Sequence, residues 1–199
     1  MIRSIQFSSL AVLLAASLSH ASDQPLADEK RLLAGEIIVT TQDVPGSGQP
    51  RVTVRGVIDA KPEVIWPILI NCGDYKTSMP RISKSVLLEK TGDLNRGTTV
   101  CTLTAAMPFP LSDLVGTVAS EFRVEGGVYE RTWSLVRGDY KTLTGSWRLE
   151  ALMSDPSRTL AIYTAHVEPK LAVPDFIVAA AQNGVLPDMF DKLRELTKH

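Results

Sequence analysis

From Ile82 to Val167 the chain reads as strand after strand, and this run limits the possible folds more than any other feature. Six segments, 83–90, 98–106, 115–124, 128–137, 144–153 and 159–167, are rich in Val, Thr, Leu and aromatic residues. Only turn-forming clusters separate them: Gly92-Asp93-Leu94-Asn95, Pro108 to Asp113, Glu125-Gly126-Gly127, Gly138-Asp139 and Ser154-Asp155-Pro156. Connections this short cannot hold a crossover helix, so successive strands pair antiparallel as a meander.

Two more strands are expected upstream. Glu36 to Asp43 and the alternating stretch Arg51 to Asp59 flank the breakers Val44-Pro45-Gly46-Ser47-Gly48 and form a hairpin. A short helix should follow, with Pro62 in its first turn and Val64, Ile65, Ile68 and Leu69 as its apolar stripe. Pro67 conflicts with that helix, because it removes a backbone donor and predicts a kink. Cys72-Gly73-Asp74-Tyr75 ends it, and a second short turn leads to Met79-Pro80. The chain closes with a long helix expected over Asp175 to Lys198. Leu186, Met189, Phe190, Leu193 and Leu196 lie on one face of it, and Asn183-Gly184 and Pro187 predict a break near its middle. One long helix cannot fill the hollow of a curved antiparallel sheet, so a cavity or a set of large side chains is expected between them.

The first residues resemble a cleavable export signal. Arg3 supplies the positive start, Ile5 to Leu18 the apolar core, and Ser19-His20-Ala21 the small-x-small ending, which places cleavage after Ala21. The stretch is too short for a membrane span. The expected organisation is a signal peptide over 1–21, a polar leader or short helix over 22–34 and one ligand-binding domain over 35–199. Cleavage removes one basic residue from a chain with 21 basic and 22 acidic residues, and leaves it slightly acidic. That balance argues against nucleic acid as a partner. In an exported protein, Cys72 and Cys101 form either a disulfide or two separate buried thiols. With so few histidines and cysteines, no metal site and no cofactor are expected.

The order strand-strand, two short helices, six strands and one long helix, together with particular residues, resembles the START-like (SRPBCC) superfamily. The residues are Gly56-Val57-Ile58-Asp59-Ala60 with Val64-Ile65-Trp66, Asp74-Tyr75 through Met79-Pro80, Ser85-Val86-Leu87-Leu88, Pro108-Phe109-Pro110-Leu111-Ser112-Asp113, Gly145-Ser146-Trp147-Arg148-Leu149, Val173-Pro174-Asp175-Phe176 and Leu186-Pro187. The resemblance covers about residues 50 to 198. It implies an α+β helix-grip fold, a curved antiparallel sheet wrapped around the C-terminal helix, with a ligand slot between them. Coenzyme Q-binding, polyketide cyclase and lipid-transfer branches share that fold, which does not choose among them. Pro67 and Cys72 depart from the family pattern.

The chain carries no Walker loop, dinucleotide glycine motif, HExxH or nucleophile elbow, and a serine-histidine site would have to use His166. On one strand face, period two aligns Tyr129, Arg131 and Trp133; on the next it aligns Gly145, Trp147 and Leu149. If those faces line the slot, Arg131 needs a carboxylate, for which Glu121 is a candidate, or a ligand headgroup. The default expectation is an outward-facing or ion-paired Arg131. Trp66, Trp133, Trp147, Leu149, Phe176 and Phe190 are cavity candidates or ordinary core. Met107, Phe109 and Leu111 form an apolar loop that either gates the slot and touches a membrane or closes the sheet edge. Three functions remain open: an exported binder or carrier of a lipid, sterol or isoprenoid quinone with transient membrane contact; a cyclase-like cavity enzyme using Arg131, Glu121 and Tyr129; and an interaction domain with a filled core.

Overall fold

The computed structural model describes residues 28–198. The expected signal segment, 1–21, lies outside the described residues. A helix, α1, occupies residues 28–33. β1 (Ile38–Gln42) and β2 (Arg51–Ile58) follow, then α2 (Pro62–Ile70), a 3₁₀ turn (Cys72–Asp74) and α3 (Tyr75–Ser78). Six strands come next: β3 (Ile82–Gly92), β4 (Arg96–Ala105), β5 (Leu114–Glu125), β6 (Val128–Gly138), β7 (Tyr140–Ala151) and β8 (Thr159–Pro169). The chain ends with α4 (Asp175–Ala180), a π-helical turn (Ala181–Val185) and α5 (Leu186–Leu196).

All eight strands belong to one antiparallel sheet, in the order β1-β2-β8-β7-β6-β5-β4-β3. The six-strand meander and the N-terminal hairpin are therefore as expected, and the hairpin joins the meander through β2 and β8. Register shifts at Thr117/Val118 and between Tyr140 and Thr142 mark bulges, which bend strands and sharpen their twist.

Period two sorts the sheet's side chains. Val54, Ile58, Cys101, Phe122, Trp147, Leu149 and Ala161 pack on the concave face with α2 and α5. A smaller cluster, Leu32 of α1 with Ile38 and Val57, forms around side chains of the opposite parity in β2. The described part of the leader thus packs against the sheet, and Asp28 pairs with Arg55.

Both prolines of concern are accommodated, for different reasons. α2 continues through Pro67, which faces solvent, so a carbonyl left without its helical donor there can be hydrated. The expected long C-terminal helix forms as one helical run, α4 through the π-helical turn into α5, and its irregularity falls near the middle, as Asn183-Gly184 and Pro187 predict. Pro187 has no N–H to continue a ladder, so it sits in the first turn of α5, where none is needed, and the π-helical turn precedes it.

Three contacts fix the helices. Phe190 of α5 presses flat on Gly56 of β2, where a Cβ would come within 2.6 Å of its ring. The Arg194 guanidinium donates to the Val57 carbonyl at 2.9 Å and to the Gly35 carbonyl at 2.9 Å. A disulfide joins Cys72, after α2, to Cys101 in the middle of β4, with a Cα separation of 6.3 Å. Among the described residues no helix is long and apolar enough to cross a membrane.

The seat of α5 predicts that Gly56→Ala destabilises the protein. The Phe190 ring is fully buried and in contact with Trp147, their centroids 5.5 Å apart, so it has little room to shift. Overpacking of this kind costs about 2 kcal/mol, or roughly 4–8 °C in Tm. A thermal melt of the variant that matches the parent shows that α5 is not seated on Gly56.

Candidate functional site

The concave face is wider than the two helices that cover it, and two adjoining chambers remain. The first, about 310 Å³, lies between β4–β8, the segment after α3, and Val185, Leu186 and Met189 at the start of α5. Its wall includes Tyr75, Met79, Leu103, Val118, Arg131, Trp133, Trp147 and Tyr163. The second, about 250 Å³, lies towards α4 and is lined by Met107, Val173, Ile177 and Val178. Ala105, Tyr140, Tyr163, Val167 and Leu186 border both chambers.

Local sequence explains the wall. Trp133 lies across Gly145 of β7, where a Cβ would meet its ring at 2.2 Å. Gly116 leaves room in the same way for Tyr140 and Leu143. Trp133, Tyr163, Trp147 and Phe190 form a chain of ring contacts with centroids 5.0 to 5.7 Å apart, joining the chamber wall to the core.

Among the described residues two arginines line this chamber: Arg81, which is exposed at its edge, and Arg131, which is 2% exposed. The outward or ion-paired arrangement expected by default is corrected. Arg131 points to the concave side, and Glu121 is exposed on the other side of β5 because the two faces alternate. No carboxylate pairs with Arg131 among the described residues. Its Nη1 donates to the Leu69 carbonyl at 2.7 Å, near the end of α2, and to the Tyr75 hydroxyl; Nη2 donates to Ser120 Oγ at 2.9 Å. Nε has no partner. Tyr75 passes its own proton to the Leu69 carbonyl. The guanidinium thus satisfies a carbonyl that the helix end leaves orphaned, and meets only neutral acceptors.

The other predicted residues separate. Trp133, Trp147 and Arg131 line the first chamber. Trp66, Leu149 and Phe190 are core: Trp66 donates to the Leu94 carbonyl at 2.7 Å, and Tyr129 packs edge-on against it, half-buried. Phe176 is corrected as a cavity residue, since it is 72% exposed on the outer side of α4. In the apolar loop, Met107 lines the second chamber, Leu111 is half-buried and Phe109 is 98% exposed.

The sequence reading missed Tyr75, Tyr140, Tyr163 and Ala105. Tyr163 carried a usable signal, because Ala161, Tyr163 and Ala165 share a strand face by period two. Tyr75 and Tyr140 reach the chamber through a turn and a bulge, where periodicity gives no direction.

His166 meets Ser47 beside the β1–β2 turn and lines neither chamber. Its Nε2 lies 2.9 Å from Ser47 Oγ and 3.1 Å from the Gln49 carbonyl, and Ser47 Oγ donates to Glu168 at 2.8 Å. The serine proton goes to Glu168, and the bond to the carbonyl requires a proton on Nε2, so that nitrogen is a donor. The trio ties the β1–β2 turn to β8. No cluster of three or more metal-ligating side chains occurs among the described residues.

Burial governs the tyrosines. It pushes Tyr140 up to about 12, with Asp139 adding to the effect. It raises Tyr163 further, and it raises Tyr75 against the opposing pull of Arg131. Tyr129 is raised by burial and then by Glu63. A raised tyrosine pKa stabilises the fold fully below pH 10 and loses that contribution as pH climbs through the folded value, between 10 and about 12 for Tyr140. A spectrophotometric titration should therefore show no tyrosine ionising with a midpoint at or below pH 10, and tyrosinate absorbance should rise together with unfolding. One of the four tyrosines titrating by pH 10 in the folded protein contradicts this environment.

Comparison with known proteins adds family information to this geometry. A family model described as polyketide cyclase / dehydrase and lipid transport matches residues 58–194. No curated protein matches. Among solved structures, a STAR-related lipid transfer protein fragment from Xanthomonas axonopodis superposes with a TM-score of 0.66 at 19% identity, covering 79% of this chain and 93% of that one. Human StAR-related lipid transfer protein 5 gives 0.63 at 12% identity, over 90% and 94% of the two chains. An aromatase/cyclase, ZhuI, from Streptomyces sp. R1128 gives 0.52 at 16% identity, over 81% and 94%. At these identities the likeness establishes the helix-grip fold.

Proposed function

The chain belongs to the polyketide cyclase / dehydrase and lipid transport family of the START-like superfamily, and on that premise we propose that it is an exported, non-catalytic carrier of a hydrophobic small molecule. The observation that carries this reading is the pair of adjoining chambers, walled by aromatic and aliphatic side chains between the sheet and the C-terminal helices. A preformed apolar hollow with a few polar points is what a small amphiphile needs.

The wall chemistry favours binding over turnover. Among the described residues, no carboxylate or imidazole is among the side chains lining either chamber. The hydroxyls there belong to tyrosines that burial holds in the neutral form, and arginine cannot give up its proton. General acid–base catalysis works best with a group poised near the operating pH.

The outer chamber supports transient membrane contact. Phe109 and Phe176, both exposed, are close in sequence to the chamber residues Met107 and Ile177. Exposed aromatic side chains of this kind suit the interfacial region of a bilayer. The export reading rests on residues 1–21, with the disulfide as its companion in an oxidising compartment.

Mass spectrometry of an organic extract from the protein, purified from the periplasm without detergent, tests the carrier reading. A stoichiometric amphiphile is expected; a clean extract, with nothing taken up from a total-lipid mixture, overturns it. Ala105→Trp places an indole where the two chambers meet. It should cut uptake of that amphiphile at least tenfold and leave Tm within a few degrees, while undiminished uptake moves the site elsewhere. Phe109→Asp should slow ligand transfer between vesicles several-fold with equilibrium affinity unchanged; an unchanged transfer rate removes the loop from the membrane contact.

A further inference from the structure

We infer that the ligand is a single-chain amphiphile ending in an anionic oxygen group, a carboxylate or a phosphate monoester, and that Arg131 receives that end in the first chamber. The inference deepens the carrier reading and rests on it.

Charge comes first. Arg131 is 2% exposed and permanently cationic, and its partners are a carbonyl, a phenol and a serine hydroxyl. A desolvated cation without a counter-charge is costly, and proteins ordinarily pair it. Here Nε keeps an unused donor, and the residue forms part of the chamber wall. Three of the five guanidinium N–H groups are engaged, which leaves the buried Nε proton and one on Nη2 as the pair that two oxygens of a carboxylate or phosphate would match.

The neighbours are consistent with an anion. Tyr75 and Tyr163, in the same wall, stay neutral and can only donate to an anionic oxygen or accept from a donor. Among the described lining residues no acidic side chain stands to repel a negative ligand. Arg131 borders the first chamber and not the second, so a headgroup there leaves the tail to run past Ala105, Tyr163 and Leu186 into the second.

Size is consistent with one chain. The chambers measure about 310 and about 250 Å³. That suits one long acyl or alkyl chain with its head.

Binding of three probes to the purified protein, followed by the fluorescence of Trp133 and Trp147 in the wall, tests this. The probes are dodecanoic acid, dodecyl phosphate and 1-dodecanol. At least one anion should bind ten times more tightly than the alcohol or better, and whichever binds tighter identifies the headgroup. In Arg131→Met that advantage should vanish while the alcohol still binds. Arg131→Lys, which keeps the charge and loses the fork, should keep part of it. Equal affinity for the alcohol and both anions in the unaltered protein overturns the anionic headgroup and leaves the carrier reading standing, and this comparison needs no variant to fold. Failure of all three probes to bind overturns the carrier reading itself, and this inference with it.

Discussion

An eight-stranded antiparallel sheet that curves to one side exposes more apolar concave surface than α2 and α5 can cover. Most of the remaining architecture follows from how that mismatch is resolved. α5 is pressed down at one place, where Gly56 lets the Phe190 ring lie against the backbone of β2, and Arg194 holds it to the Val57 carbonyl. α2 is held at another, by the disulfide after its end and by Trp66 reaching the Leu94 carbonyl. Between these anchors the sheet is spanned but not filled. Trp133, Trp147, Tyr140 and Tyr163 stand as walls around the space that is left.

Polar groups inside such a space are costly unless paired, which makes their distribution informative. Most of the wall is apolar. Its hydroxyls belong to tyrosines that burial keeps protonated well above neutral pH. Arg131 is the exception, and its bond to the Leu69 carbonyl explains part of its presence, since it closes the end of α2. The unused Nε donor is not explained by that structural role.

Much of the fold was legible from residue order. Turn clusters every ten or so residues, with valine, threonine and aromatics between them, admit little besides a meander, and the strand boundaries fell within a few residues of those observed. The C-terminal segment was legible as helical, and the break was signalled by Asn183-Gly184 and Pro187, though not as a π-helical turn. The site was less legible. Period two grouped Arg131 with Trp133, and Trp147 with Leu149, but could not say which face is concave, nor separate core from cavity: Leu149 shares the face of Trp147 and is wholly packed. Phe176 looked like a slot residue beside Ile177, and the turn of α4 carried it outward.

By itself the sequence determined the strand run, the antiparallel pairing, the helical ends and the slightly acidic charge that argues against nucleic acid, because each depends on local turn chemistry, periodicity or composition. Only the tertiary structure decided that Arg131 lacks a carboxylate, that Tyr75, Tyr140 and Tyr163 come from an α-helical turn and two different strands to border one chamber, and that Cys72 reaches Cys101. These depend on distances between elements far apart in the chain, set by the bend of the sheet and the seat of α5. No periodicity within a single element records them.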